Sequence, residues 1–536
     1  MPDRLSTPQL TELSAVPYGP GMGFDLTSDR TLPCLLDHWA TVRGSEDALV
    51  HLMDGGRPET MAHVTWARLA EDVGRLRARL AGLGVTDQRI VVMALPNAPL
   101  TIALWLAIPA NGAILHAIDP DAGRLTLERA LATTQAAVVI VPESVARVAA
   151  ELVATAAWRP RLVVVADADL PATDLPGLGP ATGTPSSATP DMVYGLLPTS
   201  GTSGAPKLVQ LTHRNYVMSA ERLVRNGGFV PDDRYYLCSP FFHTNAQLYL
   251  CAPAFANGAS IAMVPRFSAS RYFDAARWTG ATVSSMVAPP LRMALHKALE
   301  TGVRPDPGAL RAIVYGMQLS AADWEAWDRL LPQISMRQIY GQTESVSGVL
   351  GGVAWEPDDR RTIGRPYLGV DEVRLVRDDG SDASDGEPGE LWVRGKPGST
   401  LMLGYRNAPE ATARTLVDGM WLRTGDVMIR HPTGRFEFRG RAMHIIRRGG
   451  ENLSTYVFEL DLQRCPLVSD VSVTAEEDAV LDAVVVAHVV PADGYSEAGF
   501  LAWCRENLGK RGVPDRVKEH RSFPRTGSGR VVQHEL

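Results

Sequence analysis

The chain has 536 residues, of which 45% are hydrophobic and 21% charged, and its formal net charge is −7. This length exceeds what one hydrophobic core supports, so we expect at least two domains, and the composition excludes a disordered or fibrous protein. The acidic balance argues against nucleic-acid binding, and no basic amphipathic stretch indicates binding to a membrane surface.

The N-terminal half alternates between helical patterns and apolar runs. From Thr65 to Leu83, leucine and valine recur at spacings of three and four, which predicts an amphipathic helix. Runs rich in β-branched residues predict buried parallel strands at residues 90–95, 138–141 and 162–165. We therefore predict a doubly wound α/β architecture.

No secretory leader pattern precedes these segments, and the most hydrophobic stretch, residues 101–118, is interrupted by Pro109 and Gly112. The five cysteines are scattered without metal-binding spacing, which argues against a zinc or disulfide scaffold. We therefore expect a cytoplasmic protein without a membrane span.

Residues 196–207 run from a predicted strand into a loop of hydroxyl groups and glycines that ends at a lysine. Glycine lets backbone amides approach a phosphate, hydroxyl groups add hydrogen bonds, and lysine adds charge. The loop is not that of the P-loop NTPases, because Leu208 follows the lysine and opens another predicted strand. It is either a plain turn or a phosphate site formed by Thr199, Ser200, Gly201, Thr202, Ser203, Gly204 and Lys207.

The last part of the chain differs from the rest. After the segment at residues 434–441 the pattern changes to short strands and helices, so we predict an N-terminal domain at residues 1–440 and a C-terminal domain at residues 441–536. The end of the chain is basic, which marks either a solvated surface or a face that meets phosphates. Its cations are Arg505, Lys510, Arg511, Arg516, Lys518, Arg521, Arg525 and Arg530.

A series of motifs follows the loop in order. They are PFFH at 240–243, YGQTES at 340–345, GELWVRG at 389–395, WLRTGD at 421–426, Arg441, RGGEN at 448–452 and PRTGSGR at 524–530. Together they resemble the superfamily of acyl-CoA synthetases, peptide-synthetase adenylation domains and luciferases over essentially the whole chain. Residues 446–454 are most similar to carnitine or crotonobetaine CoA ligases.

The resemblance implies an α/β fold with a large, multi-layer N-terminal domain that binds AMP and the acyl group, followed by a small, mobile α+β lid domain. It implies an acyl-CoA ligase that takes a carboxylic acid or acyl-adenylate. The ligands it implies are ATP or AMP, coenzyme A and Mg²⁺.

The resemblance also assigns catalytic roles. It implies that Thr343 contacts the α-phosphate, that Glu344 holds the Mg²⁺ bridging the ATP phosphates, and that His243 gates the passage from the acyl pocket to the pantetheine tunnel. Without the resemblance, Glu344 would be a solvated charge and His243 a core residue.

Further residues are implied to bind the nucleotide. Tyr340 would stack on adenine, Asp426 would accept both ribose hydroxyls, and Arg441 would also contact the ribose. The other residues expected at the nucleotide are Gly316, Met317, Gln318 and Gly341, and those facing coenzyme A are Gly449 and Gly450.

The final motif departs from the family at Arg530. The family has a lysine there, whose ammonium bridges the substrate carboxylate and the α-phosphate during adenylation, and the longer, forked arginine is not a conservative replacement. The hinge departs as well, with Met443 and His444 where the family carries charged residues. Because Gly449 and Gly450 are retained, we expect impaired adenylation and an intact thioester step.

Three interpretations stay open. The enzyme mainly transfers an acyl group from an acyl-adenylate, made by a separate enzyme, to coenzyme A; or it is a complete ATP-dependent ligase; or it is a catalytically inert protein that binds acyl nucleotides. A carrier protein could replace coenzyme A as acceptor. The segments near residues 242–247, 286–291 and 314–319 suggest an apolar acid. The oligomeric state is left open.

Overall fold

The computed structural model describes residues 29–53, 58–199, 207–319, 321–357, 359–441, 445–449, 451–524, 531 and 536. These residues form four β-sheets with helices packed against them. We call residues 29–441 the large part and residues 445–524 the C-terminal part.

The α-helices are α1 (Leu32–Val42), α2 (Trp66–Gly82), α3 (Pro99–Ala110), α4 (Arg124–Thr134), α5 (Ala146–Thr155), α6 (His213–Gly227), α7 (Ala252–Asn257), α8 (Tyr272–Trp278), α9 (Ala288–Thr301), α10 (Ala321–Leu330), α11 (Pro409–Thr415), α12 (Thr455–Leu462) and α13 (Glu497–Leu508). Short 3-10 helices span Pro58–Thr60, Glu143–Val145, Asp167–Asp169, Pro176–Leu178 and Lys510–Gly512, and a π-helix spans Asn245–Cys251.

The strands are β1 (Asp47–Leu52), β2 (Met61–Thr65), β3 (Ile90–Met93), β4 (Ile114–Ala117), β5 (Val138–Pro142), β6 (Arg161–Val165), β7 (Val193–Thr199), β8 (Lys207–Thr212), β9 (Arg234–Leu237), β10 (Ser260–Met263), β11 (Val283–Val287), β12 (Ala312–Gly316), β13 (Ser335–Gln342), β14 (Ser347–Gly351), β15 (Arg365–Pro366), β16 (Glu372–Val376), β17 (Pro388–Arg394), β18 (Gly404–Tyr405), β19 (Leu416–Val417), β20 (Trp421–Arg430), β21 (Phe436–Arg441), β22 (Ile445–Arg448), β23 (Glu451–Ser454), β24 (Val468–Asp478), β25 (Asp482–Pro491) and β26 (Arg516–Glu519).

A seven-stranded sheet contains the strands predicted from the β-branched runs. Its order is β18-β8-β7-β4-β3-β5-β6, and neighbours are parallel from β7 to β6. The predicted amphipathic helix is α2, which begins after Thr65, whose hydroxyl accepts from the Arg68 amide at 3.3 Å, and which buries Leu69, Val73 and Leu76. The helix and the three parallel strands are confirmed, but the burial predicted for residues 162–165 is wrong in part, because β6 is the edge strand and leaves Val164 44% exposed.

The hydrophobic stretch at residues 101–118 forms most of α3 and the following strand. Every residue of α3 is buried in the largest hydrophobic core, so its apolar character reflects burial on all sides. Within the described ranges, no helix is both long enough and apolar enough to cross a lipid bilayer.

A nine-stranded sheet provides the second layer. Its order is β15-β14-β13-β12-β11-β9-β10-β1-β2, and neighbours are parallel from β13 to β1. Ligands of open α/β sheets bind beyond the carboxyl ends of parallel strands. Gly316 ends β12 and Tyr340 lies near the end of β13, so both belong to that edge.

Two smaller sheets complete the fold. The antiparallel sheet β16-β17-β20-β19, with β21 paired to β20, carries Asp426. In the C-terminal part, the sheet β23-β22-β25-β24, with β26 beside β25, packs with α12 and α13 around a core that includes Val473, Val485 and Phe500. The predicted fold class, a large α/β domain and a small α+β domain, is confirmed. The boundary at residue 440 stays a prediction.

The two parts touch along α4. Arg129 on α4 forms an ion pair with Asp461 on α12, and the backbones of Ala122 and Gly509 pair as an isolated antiparallel bridge. The C-terminal part therefore has a defined position against the large part.

Candidate active site

Lys207 and Glu344 both contact the side chain of Tyr405. Strand β18 pairs with β8, which brings Tyr405 beside Lys207, and the lysine Nζ lies 4.9 Å from the centroid of the tyrosine ring. The Tyr405 hydroxyl donates to Glu344 Oε1 at 2.8 Å. Burial lowers the pKa of the Lys207 ammonium, and the Glu344 carboxylate opposes this shift. Thr199, at the end of β7, pairs with Lys207.

The carboxylate of Glu344 fits the way Mg²⁺ binds beside nucleotides. Mg²⁺ usually takes one or two protein carboxylates and fills its other positions with phosphate oxygens and water. Within the described residues, no group of three or more histidine, cysteine, aspartate or glutamate side chains forms a metal cage. A site at Glu344 would therefore depend on the phosphates of a nucleotide.

Asp426 contacts the side chains of Tyr340 and Gln342, which both belong to β13. We call these three residues the nucleotide corner. The Tyr340 hydroxyl and the Gln342 Nε2 each donate to Asp426 Oδ2 at 2.6 Å. Asp426 is 3% exposed, and its backbone lies opposite Arg441 in the antiparallel pair of β20 and β21. The Tyr340 hydroxyl thus contacts the predicted ribose carboxylate.

The segment of Gly316, Met317 and Gln318 follows β12 directly. Met317 has a φ of +71°, which costs conformational energy in a side chain other than glycine. Gln338 Nε2 donates to the Met317 carbonyl at 2.9 Å, and Arg292 donates to the Gln318 carbonyl at 2.9 Å. Both bonds hold the carbonyls of this strained segment in place.

Gly341 lets the backbone of β13 lie close to the Ser347 carbonyl and the Tyr249 hydroxyl. A Cβ atom at this position would lie 2.1 Å from the Ser347 carbonyl oxygen and 2.7 Å from the Tyr249 hydroxyl. Only glycine fits there.

The PFFH motif lies next to Thr343. The ring of His243 lies 4.1 Å, centroid to centroid, from that of Phe242, and the two ring planes are tilted by 43°. The next residue, Thr244, shares a 2.7 Å hydrogen bond with the Thr343 hydroxyl. The structure thus brings the predicted gate residue near the predicted α-phosphate residue.

A cavity of about 410 Å³ lies between the two parts, and we call it the junction cavity. The large part lines it with Pro240, Phe241, Phe242 and Arg266, among others. The C-terminal part lines it with Arg448, Gly449, Leu453, Leu481, Lys510 and Arg511. The guanidinium of Arg511 lies 4.8 Å from the centroid of the Phe242 ring. Gly449 and the first three residues of the PFFH motif therefore line the same cavity.

Arg292 on α9 links the adenine segment to the C-terminal part. Besides the Gln318 carbonyl, its guanidinium donates to the Val480 carbonyl at 3.0 Å and to Asp482 Oδ1 at 2.6 Å. It also pairs with Asp323 at 3.2 Å, and it is 5% exposed. One buried side chain thus contacts both parts at once.

Several predicted site residues lie outside the described residues: Ser200, Gly201, Thr202, Ser203, Gly204, Gly450 and Arg530, together with the hinge residues Met443 and His444. For Arg441 only the backbone is described. The structure brings the other predicted residues to the edge where the two large sheets and the C-terminal part meet.

Sequence reasoning missed Gln342, Tyr405 and Arg292 as site residues, and it covered Thr244 only as part of the predicted pocket segment at residues 242–247. Gln342 had a local signal, because residues two apart in a strand share a face and Tyr340 was already assigned. Tyr405 had no local signal of this kind, because it is 61 positions from its partner Glu344 in the chain.

Comparisons with known proteins agree over most of the chain. The model of the AMP-binding enzyme family matches residues 36–406, and that of the AMP-binding enzyme C-terminal domain matches residues 459–530. A crotonobetaine/carnitine-CoA ligase from Shigella flexneri is 28% identical over 526 residues, covering 96% of this chain and 100% of that protein.

Solved structures share the fold. The amide bond synthetase McbA from Marinactinospora thermotolerans has a TM-score of 0.78 at 26% identity, covering 94% of this chain and 99% of that one. A double mutant of o-succinylbenzoate CoA synthetase from Bacillus subtilis, bound to a product analogue, has a TM-score of 0.79 at 22% identity, covering 95% and 98%.

Proposed function

Because the chain belongs to the AMP-binding enzyme family, we propose that it is an acyl-CoA ligase that mainly converts an acyl-adenylate and coenzyme A into a thioester and AMP. The observation that carries this proposal is the junction cavity, which is lined by both parts and includes Gly449 and Phe242 in its lining. Its position suits a pantetheine arm that enters between the parts and ends near Thr343.

The charges around the junction cavity suit coenzyme A, whose nucleotide end carries several phosphate charges. The charged side chains that line it are the cations Arg266, Arg448, Lys510 and Arg511 and the carboxylates Asp119 and Asp121. Three of the cations already pair with acids: Arg266 lies 3.1 Å from Asp121, Arg511 lies 3.5 Å from Asp119, and Arg448 lies 2.5 Å from Asp515 outside the lining. With Lys510 added, the charges at this opening stay positive on balance, which favours an anionic ligand.

The residues around the cavity fit thioester formation. The thiol sulfur bonds to the acyl carbon, the bond from that carbon to the AMP phosphate breaks, AMP leaves with the electron pair, and the thiol proton is released. Thr343 would hold the phosphate of AMP, and His243 would stand between this phosphate and the cavity. Asp426 would accept the ribose hydroxyls.

Formation of the acyl-adenylate from ATP and a carboxylic acid has less support than the thioester step. Glu344 would hold Mg²⁺, which offsets phosphate charge when ATP is bound. Arg530, however, replaces the lysine that the family uses between the carboxylate and the α-phosphate. We therefore propose that a separate adenylating enzyme supplies the acyl-adenylate.

Two assays on the full chain test the proposal. A panel of carboxylic acids with ATP and Mg²⁺ should release little pyrophosphate, whereas the corresponding acyl-adenylates with coenzyme A should yield thioester and AMP. The Arg530→Ala variant should form thioester at nearly the native rate, because thiol attack on a finished adenylate needs no cation at that position. Rapid ATP-dependent pyrophosphate release by the native protein would contradict the proposal.

The contact of Lys207 with Tyr405 and Glu344 favours a second candidate, a complete ATP-dependent ligase. A lysine and a carboxylate that meet at one tyrosine would suit the phosphates and the metal of ATP. This candidate predicts that pyrophosphate release and thioester formation proceed together from ATP, acid and coenzyme A.

A further inference from the structure

The amide of Asn245 stands at the first residue of the π-helix, directly after Thr244. π-helical turns are rare and occur frequently at functional sites. Thr244 is hydrogen-bonded to Thr343, which we place at the α-phosphate. In an acyl-adenylate the acyl carbonyl is bonded to that phosphate, so the acyl group lies within a few atoms of Asn245.

Among the described residues, only one of the two polar atoms of the Asn245 amide has a hydrogen-bond partner. Asn245 Nδ2 donates to Ser285 Oγ at 2.9 Å. Its Oδ1 is enclosed and has no hydrogen-bond partner among the residues that the structure describes. A buried carbonyl oxygen loses its bonds to bulk water, so it needs a donor from a ligand or an ordered water. Because the serine hydroxyl both donates and accepts, reversing the amide would leave Nδ2 in the same situation.

Ser285 places this amide at the ligand edge of the sheet. It lies in β11, opposite Val314 of β12 in parallel register, and β12 ends two residues later at Gly316. The pair of Asn245 and Ser285 thus links the strand next to the predicted adenine segment with the neighbourhood of Thr343, two residues before the carboxyl end of β11, and such ends form ligand sites.

We infer that the acid substrate carries a hydroxyl or amino group that hydrogen-bonds to Asn245. This inference rests on the proposed function and names the substrate class. A hydroxyl group satisfies the amide in either orientation, whereas an amine satisfies only the carbonyl oxygen. A site built around such a bond discriminates against the analogue that lacks the group, because the buried amide is then left without its partner.

The test uses unreactive acyl-adenylate analogues in which a sulfamate replaces the phosphate. Benzoyl and butanoyl analogues are compared with those carrying a hydroxyl or amino group at each position, by calorimetry on the full chain. At least one substituted analogue should bind the native protein about three- to tenfold tighter than its parent, as one neutral hydrogen bond provides.

Variants assign the effect to the amide. Asn245→Leu has nearly the same shape without polar atoms and should abolish the preference, and Ser285→Ala, which frees the amide from its anchor, should weaken it. AMP affinity should be unchanged in both, and a cooperative melting transition shows that both variants fold. The inference is overturned if no substituted analogue gains affinity, or if the preference survives in Asn245→Leu. Failure of AMP and all analogues to bind would instead contradict the proposed function.

Discussion

The nucleotide corner and the junction cavity are assembled in different ways. Tyr340, Gln342 and Asp426 all belong to the large part, and their two 2.6 Å hydrogen bonds hold the corner together without the C-terminal part. The junction cavity exists only where the two parts meet, because Gly449 and Arg511 form one wall and Phe242 the other.

Because of this difference, the affinity for AMP and the affinity for coenzyme A should depend on different parts of the molecule. Binding of AMP should depend on residues that are already in place, whereas binding of coenzyme A should also depend on the position of the C-terminal part. Substitutions in the large part should therefore act on the nucleotide, and substitutions in the C-terminal part on the acceptor. Four experiments test this separation, in order of decreasing expected effect.

Asp426→Ala should have the largest effect. It removes the carboxylate proposed for the ribose hydroxyls, so AMP affinity should fall roughly tenfold to a hundredfold, since hydrogen bonds to a charged group contribute about 1.5–3 kcal/mol. Calorimetry with AMP measures this loss, and Asp426→Asn is the matched control that keeps the shape of the side chain. Unchanged AMP affinity in the alanine variant would place the ribose elsewhere.

Arg511→Ala should act on coenzyme A alone. Loss of one partly exposed cation at the junction cavity should raise the KM for coenzyme A about threefold to tenfold at low salt, and less at high salt. AMP affinity should stay the same. Arg505→Ala removes an exposed arginine of α13 that does not line the cavity, so it is the matched control. An equal rise in KM for both variants would refute a specific role for Arg511.

Asp482→Asn tests the contact that joins the two parts. It weakens the pairing with Arg292 but keeps a residue type that tolerates the local φ of +68°. The thioester rate from acyl-adenylate should fall about two- to fivefold, because an ion pair of this kind contributes about 1 kcal/mol or less when one side is partly exposed. AMP affinity should not change, and Asp493→Asn, on the same part, should change neither quantity.

Residues of the nucleotide corner could be proposed from the sequence, whereas the contacts that join the two parts could not. Helix α2 could be predicted from spacing and β5 from a run of β-branched residues, and the resemblance named Asp426 and Glu344 as candidates, whose roles stay predictions. Arg292 and Asp482 lie 190 positions apart, and an arginine inside a helix gives no local sign of such a partner. Contacts between the parts depend on their relative position, which no short segment of sequence encodes.

The smallest effect concerns pH and the stability of the C-terminal part. The pKa of His488 is lowered from 6.5 to about 4, chiefly because the ring is buried, with repulsion from His520 and Lys518 added and Glu476 opposing. As the pH falls below 6.5, the unfolded chain takes up a proton that the folded chain cannot, so stability that is present above pH 6.5 is lost toward pH 4.

His488→Asn removes this titration, so its melting temperature should fall less between pH 7 and pH 5 than that of the native protein, by on the order of a few degrees. His296→Asn on α9, which is partly exposed, should keep the native slope. Because the nucleotide corner lies in the large part, AMP affinity at pH 7 should be the same in all three proteins. An identical acid slope in His488→Asn would show that this ring does not control the acid stability of the C-terminal part, and a loss of AMP affinity would show that the two parts are more tightly coupled than their contacts imply.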